Sequence, residues 1–509
     1  MTSIFDTGPP PPCPAPFNLA QYVLSLSPSL GDKCALSVLH ADHSDDWTYA
    51  RFEAAVRGTA TGLLQQGLKK GDRILMRLGN SVEFPILFLA AITAGLVPVP
   101  TSSQATAAEI TAISNEIDPA LIVADRGIAL PDPLACPVIT AQDLHSFHHL
   151  PPAFYVEGDP NRLAYIIYTS GTSGVPRAVC HAHRAIWARR MMYKGWYGLT
   201  AHDRMMHAGA FNWTYTLGTG LMDPLSIGAT ALIPAADTAV SGLPALIARH
   251  RATIFAAAPG VYRQMLKHPL PPLPDLRHGL SAGEKLPETI RNRWNQASGK
   301  MLFEAFGMSE CSTFISGSPD HPAPEGASGY PQPGRRVAVL DNTGQPVRFD
   351  QAGTLAVHRN DPGLMLGYLN AEEETKERFS GDWFLTGDNC SMAPDGAITY
   401  LGRTDDMMNA GGYRVSPLEV EQALTSHPAI DEIAAVEVTV KADTTVIAAF
   451  YTSGSPLDEA GLIDYANGKL ARYKTPRIFI RVAALPKGAN GKLLRRQLRD
   501  TYENRHDQA

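Results

Sequence analysis

Residues 165 to 177 combine residue types and a spacing that could hold a phosphate group. The apolar run Tyr165-Ile-Ile-Tyr168 leads into Thr169-Ser-Gly-Thr-Ser-Gly-Val-Pro-Arg177. Glycines let consecutive backbone N–H groups converge on one anion, and the hydroxyls and the Arg177 guanidinium add further donors. No Lys follows the glycines as the motif G-x-x-x-x-G-K-[ST] requires, so a P-loop ATPase is excluded. Taken alone, the segment is also compatible with a flexible Ser-Gly loop.

Such a loop needs a rigid frame, and the chain around it alternates helix-length amphipathic segments with short apolar runs from Trp47 to about Gly307. Thr48 predicts the start of a helix that reaches Gln66, and the run 73–78 predicts a strand. Further strands are predicted at 119–124, 163–168, 229–233, 253–258 and 300–306, and further helices at 81–94, 185–194, 243–250 and 287–297. Strands that alternate with helices favour doubly wound, mostly parallel sheets.

Two changes of pattern divide the chain. After about residue 325, short runs separated by Asp, Asn and Gly turns predict a small β subdomain that extends to about residue 403. Helices near 417–425 and 458–470 then accompany strands near 434–440, 445–451 and 477–482. We therefore predict an α/β protein with a large N-terminal domain over residues 1–403 and a small, mobile α+β C-terminal domain over residues 404–509.

Composition places the chain among ordinary globular proteins. Its 509 residues are 44% hydrophobic and 18% charged, and this length predicts about two to four domains. The formal net charge of −6 disfavours a protein that coats nucleic acid or binds a membrane surface. The longest apolar run, 86–99, has about 14 residues and is shorter than the roughly 18 that suggest a membrane span.

Cysteines and the N-terminus indicate the compartment. Six cysteines lie far apart without a C-x-x-C pair, which predicts neither a zinc site nor a disulfide framework and favours the reducing cytoplasm. Residues 1–16 carry no basic and apolar leader, so we expect a proline-rich extended arm rather than a secretion signal.

The matched motifs, in their order along the chain, resemble those of the adenylate-forming superfamily, which includes acyl-CoA synthetases, nonribosomal adenylation domains and luciferases. Besides the phosphate loop at 169–177, the matches are Ser281-Ala-Gly-Glu284, Phe306-Gly-Met-Ser-Glu310, Thr386-Gly-Asp388 with Gly402-Arg-Thr-Asp-Asp406, Gly412-Tyr-Arg-Val415, and Leu485-Pro-Lys487 with Gly491-Lys492. They cover residues 45 to 500, approximately, and their order is more specific than any single motif. The resemblance implies that a carboxylate attacks the α-phosphorus of ATP, giving an acyl-adenylate and pyrophosphate, and that a thiol then takes the acyl group.

The resemblance also implies which residues contact ATP. The β and γ phosphates would lie against Thr169, Ser170, Gly171, Thr172, Ser173, Gly174 and Arg177. The adenosine would contact Gly283, Glu284, Phe306 and Gly307 at its base, and Asp388 and Arg403 at its ribose. Glu310 and the Ser309 hydroxyl would hold Mg²⁺, which prefers oxygen ligands. Taken singly, each of these residues is also compatible with an ordinary turn or core position.

Lys492 is the residue to which the resemblance assigns adenylation. Its side chain would stabilise the charge that develops as the carboxylate oxygen adds, together with Glu310 and Thr169. For the thiol step the family rotates its small domain about a hinge, here Asp405 within residues 403–406. Coenzyme A would then contact Gly411, Gly412, Tyr413 and Arg472. The alternatives for Lys492 and Asp405 are a solvated lysine and a surface acid.

The phosphate loop differs from the usual form of the family at two positions. Arg177 stands where the family usually has Lys, and Ala178 where it usually has Gly; Arg keeps the charge with a different geometry.

The resemblance also implies which residues form the acid pocket: Phe211, Asn212, Trp213, Gly283, Met308 and Phe314. Amino-acid-activating relatives carry Asp at the position of Asn212, whose amide offers an ammonium no counter-charge. Trp213 resembles the tryptophan of medium-chain acyl-CoA synthetases, so we favour a small to medium aliphatic or aromatic acid.

We therefore expect a cytoplasmic, Mg²⁺-dependent carboxylic acid–CoA ligase that uses ATP and CoA, with no nucleic-acid partner. The alternatives are a free-standing adenylation enzyme that loads a carrier protein and a catalytically silent nucleotide-binding protein. The stretch 471–499 has nine basic and no acidic residues, so it carries +9 and the remainder −15. Such a basic surface suits closure over the phosphates of ATP and CoA, although charge runs are usually solvated faces. A homodimer is left open.

Overall fold

The computed structural model describes residues 2–169, 176–410, 413–441, 444–488 and 493–506. The chain forms two compact units. The larger unit contains Phe5–Arg336 and Val357–Phe384, and the smaller contains Met1–Ile4, Val337–Ala356 and Leu385–Ala509. The domain boundary expected at residues 403–406 stays a prediction.

A nine-stranded sheet lies at the centre of the larger unit. In spatial order its strands are Tyr330–Pro331, Ser312–Ser316, Met301–Met308, His278–Ala282, Ile254–Ala257, Arg204–His207, Thr230–Pro234, Cys34–Leu39 and Ser44–Thr48. Neighbouring strands from Met301–Met308 to Cys34–Leu39 run parallel, and the strands at the two ends pair antiparallel. The predicted α/β fold with mostly parallel strands is confirmed, because the short apolar runs between helices form the buried strands.

A second, wholly parallel sheet consists of four strands. They are, in spatial order, Val97–Pro100, Arg73–Arg77, Leu121–Ala124 and Val138–Thr140. Helix Tyr49–Gln65 begins where predicted, since the Thr48 hydroxyl accepts a hydrogen bond from the backbone N–H of Arg51. Helix Glu83–Thr93 is buried along almost its whole length, which explains its nearly continuous apolar sequence.

The strand before the predicted phosphate loop is not part of a parallel sheet, contrary to the alternating pattern. Leu163–Thr169 pairs antiparallel with Arg177–Ala182, a strand that was not predicted, and this strand pairs with Gly367–Tyr368. A buried apolar run has the same sequence pattern in either kind of sheet, so periodicity could not distinguish them. Thr169 lies opposite Arg177 in this pairing, at the end of the two strands that faces the predicted phosphate motif in the sequence.

The helix predicted at 185–194 is interrupted. The chain forms the short helices Ala185–Ala188 and Arg190–Met192 and then the π-helix Tyr193–Tyr197. A second π-helix, Thr216–Met222, precedes helix Asp223–Ile227. Widened π turns are frequent at functional sites, and these two bring hydroxyls to a buried ion pair described below.

The larger unit also contains further helices. They are Leu19–Val23, Ser27–Leu30, Ala107–Ile117, Ala141–Phe147, Leu243–Arg249, Pro259–Met265, Glu288–Ser298 and Glu372–Glu377, with the 3-10 turn Val240–Gly242.

Five strands between residues 336 and 403 form a six-stranded sheet with the strand Ile4–Asp6. The bounds of the β subdomain expected at 325–403 stay a prediction. The strands of the sheet are Ile4–Asp6, Arg336–Leu340, Gly353–His358, Trp383–Met392, Phe379–Ser380 and Ile398–Arg403. The following α+β region has the hairpin Met408–Ala410 and Tyr413–Val415, the sheet Glu432–Lys441, Thr444–Thr452 and Ile478–Arg481, and the helices Pro417–Thr425, Glu459–Asn467 and Arg495–His506. The last helix was not predicted, because Leu498 and Tyr502 are the only buried apolar residues among its described side chains. Among the described helices, none is both long and apolar enough to cross a membrane.

Candidate active site

The carboxyl ends of two neighbouring strands bring together the residues predicted to contact adenine. Strand His278–Ala282 runs parallel to Met301–Met308 and pairs with it directly. Residues 283–284 follow the first strand, and residues 306–307 lie at the end of the second. Open α/β sheets bind their ligands beyond the carboxyl ends of the strands, so both motifs lie where a nucleotide would be expected.

Two glycines at these strand ends let neighbouring groups approach more closely than any side chain would allow. A Cβ on Gly307 would lie 2.3 Å from the backbone oxygen of Ser312. Gly283 has a φ of 96°, and a Cβ there would lie 2.5 Å from Cζ2 of Trp213. The indole ring of Trp213 therefore packs directly on Gly283, and the two predicted pocket residues are in contact.

Aromatic side chains pack around the predicted acid pocket. Phe211 is 1% exposed and its ring stacks on that of Phe84, with 5.1 Å between the centroids. Phe314 is buried and meets Phe306 edge-on at 5.6 Å. These rings are apolar, so this part of the larger unit is suited to an uncharged substrate body.

Asn80, which the sequence analysis did not select, fixes the backbone that carries the pocket residues. Its Nδ2 donates to the oxygen of Gly209 at 2.8 Å, and its Oδ1 accepts from the N–H of Phe211 at 3.2 Å. Asn212 and Met308 stay partly exposed. An Asn in a turn before a helix gives little sequence signal, because Asn is common in turns.

Glu310 is held by a tyrosine that the sequence analysis also missed. The Tyr368 hydroxyl donates to Glu310 Oε1 at 2.7 Å, and the Glu310 backbone oxygen accepts from the N–H of Met365 at 2.7 Å. Burial, followed by the Glu310 charge, raises the pKa of Tyr368, so its hydroxyl stays protonated as a donor. The carboxylate of Glu310 is thereby oriented by Tyr368. With the hydroxyl of the adjacent residue Ser309 it would offer the oxygen donors that suit Mg²⁺.

Arg177 lies near the same tyrosine. Its guanidinium forms an ion pair with Glu374, and its Cζ lies 5.6 Å from the centre of the Tyr368 ring. Tyr368 therefore connects Arg177, at the end of the predicted phosphate loop, with the carboxylate of Glu310.

Asp388 and Arg403, in the smaller unit, are directly opposite each other on paired antiparallel strands. Arg403 Nη1 donates to Asp388 Oδ1 at 3.3 Å and to the backbone oxygen of Thr386 at 3.0 Å. The Asp388 side chain is 7% exposed. The predicted ribose contacts are thus neighbours, although they are separated in sequence.

Several predicted residues lie outside the described part of the chain: Ser170, Gly171, Thr172, Ser173, Gly174, Gly411, Gly412 and Lys492. Thr169 is the last residue of its strand, Tyr413 is the first of its strand, Arg472 is exposed, and Asp405 lies in a 3-10 turn. The roles assigned to all of these residues stay predictions.

A buried ion pair supports the segment after Glu310. Arg189 Nε donates to Asp223 Oδ1 at 2.8 Å and its Nη2 to Oδ2 at 2.6 Å. Hydroxyls of the two π-helices complete the network, since Tyr197 donates to Asp223 at 2.8 Å and Thr219 accepts from Arg189 at 3.2 Å. Arg189 Nη1 also donates to the Ser312 hydroxyl. A charged residue inside an apolar segment signals such pairing, and both Arg189 and Asp223 show it.

His207, another residue that the sequence analysis missed, is fully buried close to the pocket backbone. Its Nδ1 accepts from the N–H of Gly209 at 3.0 Å, which places the proton of the neutral ring on Nε2. Nε2 and the buried hydroxyl of Thr216 have no hydrogen-bond partner among the described residues. Burial lowers the pKa of His207 to about 3, so the ring is neutral at physiological pH.

Acid should destabilise the fold because four buried imidazoles resist protonation. They are His181 and His278, whose pKa values burial lowers to about 4, and His183 and His207, whose pKa values it lowers to about 3. The unfolded chain binds these protons near pH 6.5, so stability is complete above that pH and is lost as the pH falls towards 4. Each group contributes up to about 1.4 kcal/mol per pH unit in this window.

Urea denaturation from pH 8 to 4.5 measures this loss. His183 Nδ1 accepts from the N–H of Leu19 at 3.0 Å, and His183→Asn retains an acceptor for that bond. This variant should show a shallower loss of stability below about pH 6.5. His43→Asn, at an exposed side chain, is the matched control and should keep the original slope. Equal slopes for His183→Asn and the unaltered chain would contradict the assignment.

Comparison with known proteins identifies the family. The chain matches the AMP-binding enzyme family over residues 29–369 and the AMP-binding enzyme C-terminal domain over residues 419–492. It is 30% identical to a benzoate–CoA ligase of Thauera aromatica over 497 residues, covering 91% of this chain and 92% of that protein. It is 31% identical to a 4-hydroxybenzoate–CoA/benzoate–CoA ligase of Rhodopseudomonas palustris over 489 residues, covering 89% of this chain and 88% of that protein.

A solved structure with a similar fold is a benzoate CoA ligase from Burkholderia xenovorans LB400. Its TM-score is 0.85 at 28% identity, with 95% of this chain and 100% of that chain covered. The match to the family extends over more than half of the sequence, and the relatives align along nearly all of it. The chain therefore belongs to the AMP-binding enzymes, the adenylate-forming superfamily that its motifs resemble.

Proposed function

We propose that this protein is an ATP-dependent carboxylic acid–CoA ligase that activates a small aromatic acid. The relatives described above are named CoA ligases, in agreement with the predicted acid–thiol ligase. The observation that carries the aromatic preference is the packing of Trp213 on Gly283, beside the strand end that bears Phe306. A planar ring can lie against these apolar surfaces, and Asn212 supplies no carboxylate for a substrate ammonium.

The reaction would proceed in two balanced steps. A carboxylate oxygen of the acid bonds to the α-phosphorus of ATP while the bond to pyrophosphate breaks, giving an acyl-adenylate. The sulfur of CoA then bonds to the acyl carbon, AMP leaves with the electron pair of the broken acyl–phosphate bond, and the thiol proton is released. Lys492 would stabilise the charge at the α-phosphate in the first step. Glu310, oriented by Tyr368, would hold Mg²⁺ with Ser309, and the ion would reduce the charge of the phosphates.

The same proposal includes the change between the two steps. Rotation of residues 404–509 about Asp405 would replace the Lys492 loop by residues 411–413, which would then line the CoA channel, with Arg472 nearby. The proposal also places the protein in the cytoplasm. The six cysteines are free, which agrees with a reducing compartment.

A panel of carboxylic acids tests the substrate class. Initial rates of pyrophosphate release with CoA should show kcat/KM for benzoate and hydroxybenzoates at least about tenfold above those for octanoate and phenylalanine. A preference for octanoate would contradict the aromatic assignment, and a preference for phenylalanine would contradict the argument from Asn212. Loading of a phosphopantetheinyl carrier with no activity on free CoA would favour the carrier-protein alternative.

Tyr368→Phe should weaken the use of MgATP without unfolding the protein. The variant removes the hydroxyl that donates to Glu310, and a hydrogen bond to a charged group contributes about 1.5–3 kcal/mol. We expect the KM for MgATP to rise about tenfold or more, with partial recovery at high Mg²⁺ concentration. Tyr155→Phe is the matched control, because Tyr155 also donates to a carboxylate, Glu53, at 3.0 Å. Equal effects of both variants on KM would indicate a general loss of stability instead.

A further inference from the structure

Two helices bring together a carboxylate and two imidazoles in a region of the larger unit that the proposed reaction does not use. Glu83 is the first residue of helix Glu83–Thr93. His145 and His148 lie three residues apart at the end of helix Ala141–Phe147, a spacing that places both on one helix face. The sequence analysis selected none of the three residues, because Glu83 lies about sixty residues before the histidines.

The distances between the polar atoms are short. His148 Nε2 lies 3.0 Å from Glu83 Oε2, and His145 Nδ1 lies 3.5 Å from Glu83 Oε1. One ligand atom from each residue can be chosen so that all three lie within 4.8 Å of one another. Metal–ligand bonds of about 2.0–2.2 Å in tetrahedral geometry separate ligand atoms by about 3.4 Å, so only small side-chain shifts would be needed.

The donor set selects a class of ion. Two imidazole nitrogens with one carboxylate oxygen are a set that Zn²⁺ and similar divalent transition ions accept, whereas Mg²⁺ and Ca²⁺ favour oxygen ligands. In the described part of the chain, the ion pairs of Glu83 are those with His145 and His148. Neither an arginine nor a lysine there forms a salt bridge that would compete with a cation for this carboxylate.

Burial holds two of the ligands in place and leaves a path to the third. The side chain of His148 is 3% exposed, and its ring meets Trp47 edge-on at 5.8 Å. Glu83 is 13% exposed, and His145 is 62% exposed. An ion could therefore enter beside His145, with water as its remaining ligand.

We propose that Glu83, His145 and His148 form a binding site for one divalent transition ion of the Zn²⁺ type, distinct from the Mg²⁺ site assigned to Glu310. The bound ion would join helix Ala141–Phe147 to helix Glu83–Thr93. Phe84, the next residue of that second helix, stacks on Phe211 of the acid pocket. The site thus lies one residue away from a pocket contact, and its existence does not depend on the proposed reaction.

Binding of the metal alone tests this site. The full chain without an affinity tag, free of nucleotide and with excess Mg²⁺, is titrated with Co²⁺ and then with Zn²⁺. One equivalent of Co²⁺ should give the intense visible absorption of a low-symmetry, four-coordinate site, and Zn²⁺ should displace it. His145→Ala changes an exposed side chain and should weaken binding about tenfold or more without unfolding the chain. Glu83→Gln, which keeps the side-chain size, should weaken it as well.

Two histidine variants distinguish this site from adventitious binding. His149→Ala removes the exposed imidazole next to His148, and His43→Ala disrupts the stacked pair of His40 and His43. Both should bind Co²⁺ as the unaltered chain does. The proposal is overturned if no saturable absorption appears, if His145→Ala binds as tightly as the unaltered chain, or if either control loses the signal. In those cases the three side chains form a hydrogen-bonded triad and nothing more.

Discussion

Replacement of Lys492 by Ala is expected to slow formation of the acyl-adenylate about 10²–10³-fold, the loss that follows removal of one preorganised donor to the charge of a transition state. The attacking carboxylate and the phosphates of ATP are all anionic, so a cation at the α-phosphate lowers the repulsion between them most where the new bond forms. In the second step, transfer of a preformed acyl-adenylate to CoA, no pyrophosphate leaves the α-phosphorus, so the charge that Lys492 would stabilise does not develop. The rate of this second step should therefore change by no more than a few-fold.

Single-turnover assays of the two half-reactions measure this difference. Lys487→Ala is the matched control, because Lys487 lies in the same basic stretch and pairs with Glu432 at 2.6 Å. It should leave both half-reactions nearly unchanged. If Lys492→Ala formed the adenylate at the original rate, the assignment of Lys492 would be wrong. Equal loss in both half-reactions would indicate damage to the fold rather than to catalysis.

Asp223→Asn is expected to lower the free energy of unfolding by about 3–5 kcal/mol, because it leaves the Arg189 guanidinium buried without a counter-charge. The side chains of Asp223 and Arg189 are 0% and 5% exposed. Although burial opposes the charge, Asp223 raises the pKa of Arg189, so the guanidinium stays protonated. We also expect slower adenylation, because Arg189 donates to Ser312, two residues after Glu310.

A double-mutant cycle separates the interaction free energy of the ion pair from the effect of changed packing. The double variant Arg189→Met with Asp223→Leu removes both charges, and replacement of a buried pair by apolar groups is often close to neutral. It should therefore be more stable by urea denaturation than the single variant Asp223→Leu, and the cycle closed with the single variant Arg189→Met should give a coupling free energy of about 2 kcal/mol or more. Additive losses would show that the pair does not act as a unit.

The local pattern of apolar and capping residues in the sequence was sufficient to predict most of the strands and helices. The apolar runs and the Thr48 cap located the parallel strands and helix Tyr49–Gln65, because burial and capping depend on neighbouring residues. The pairing of Leu163–Thr169 with Arg177–Ala182 depended on a partner across the loop, which periodicity does not report. Helix Arg495–His506 was missed because most of its residues are polar or charged, so its few buried apolar residues give little periodic signal.

Some residues of the candidate site could be selected from the sequence, and others could be found only from the structure. Residues in contiguous motifs, such as Phe306 and Glu310, were selected from the sequence because they stand together in one short stretch that resembles a motif of the family. Tyr368 was not, although it donates to a carboxylate 58 residues earlier in the chain. The buried pair Arg189 and Asp223 is likewise 34 residues apart. Contacts formed only by the tertiary fold leave no spacing that a single sequence can show, so these positioning residues required the structure.

The most direct test of the central claim is the identity and stoichiometry of the products. The full chain is incubated with benzoate, ATP, Mg²⁺ and CoA, and the thioester and AMP are quantified by liquid chromatography with mass detection. The account predicts benzoyl-CoA and AMP in equal amounts, and benzoyl-adenylate with pyrophosphate but without the thioester when CoA is omitted. Bound ATP without pyrophosphate release on any aromatic acid, or adenylate that CoA does not consume, would contradict it.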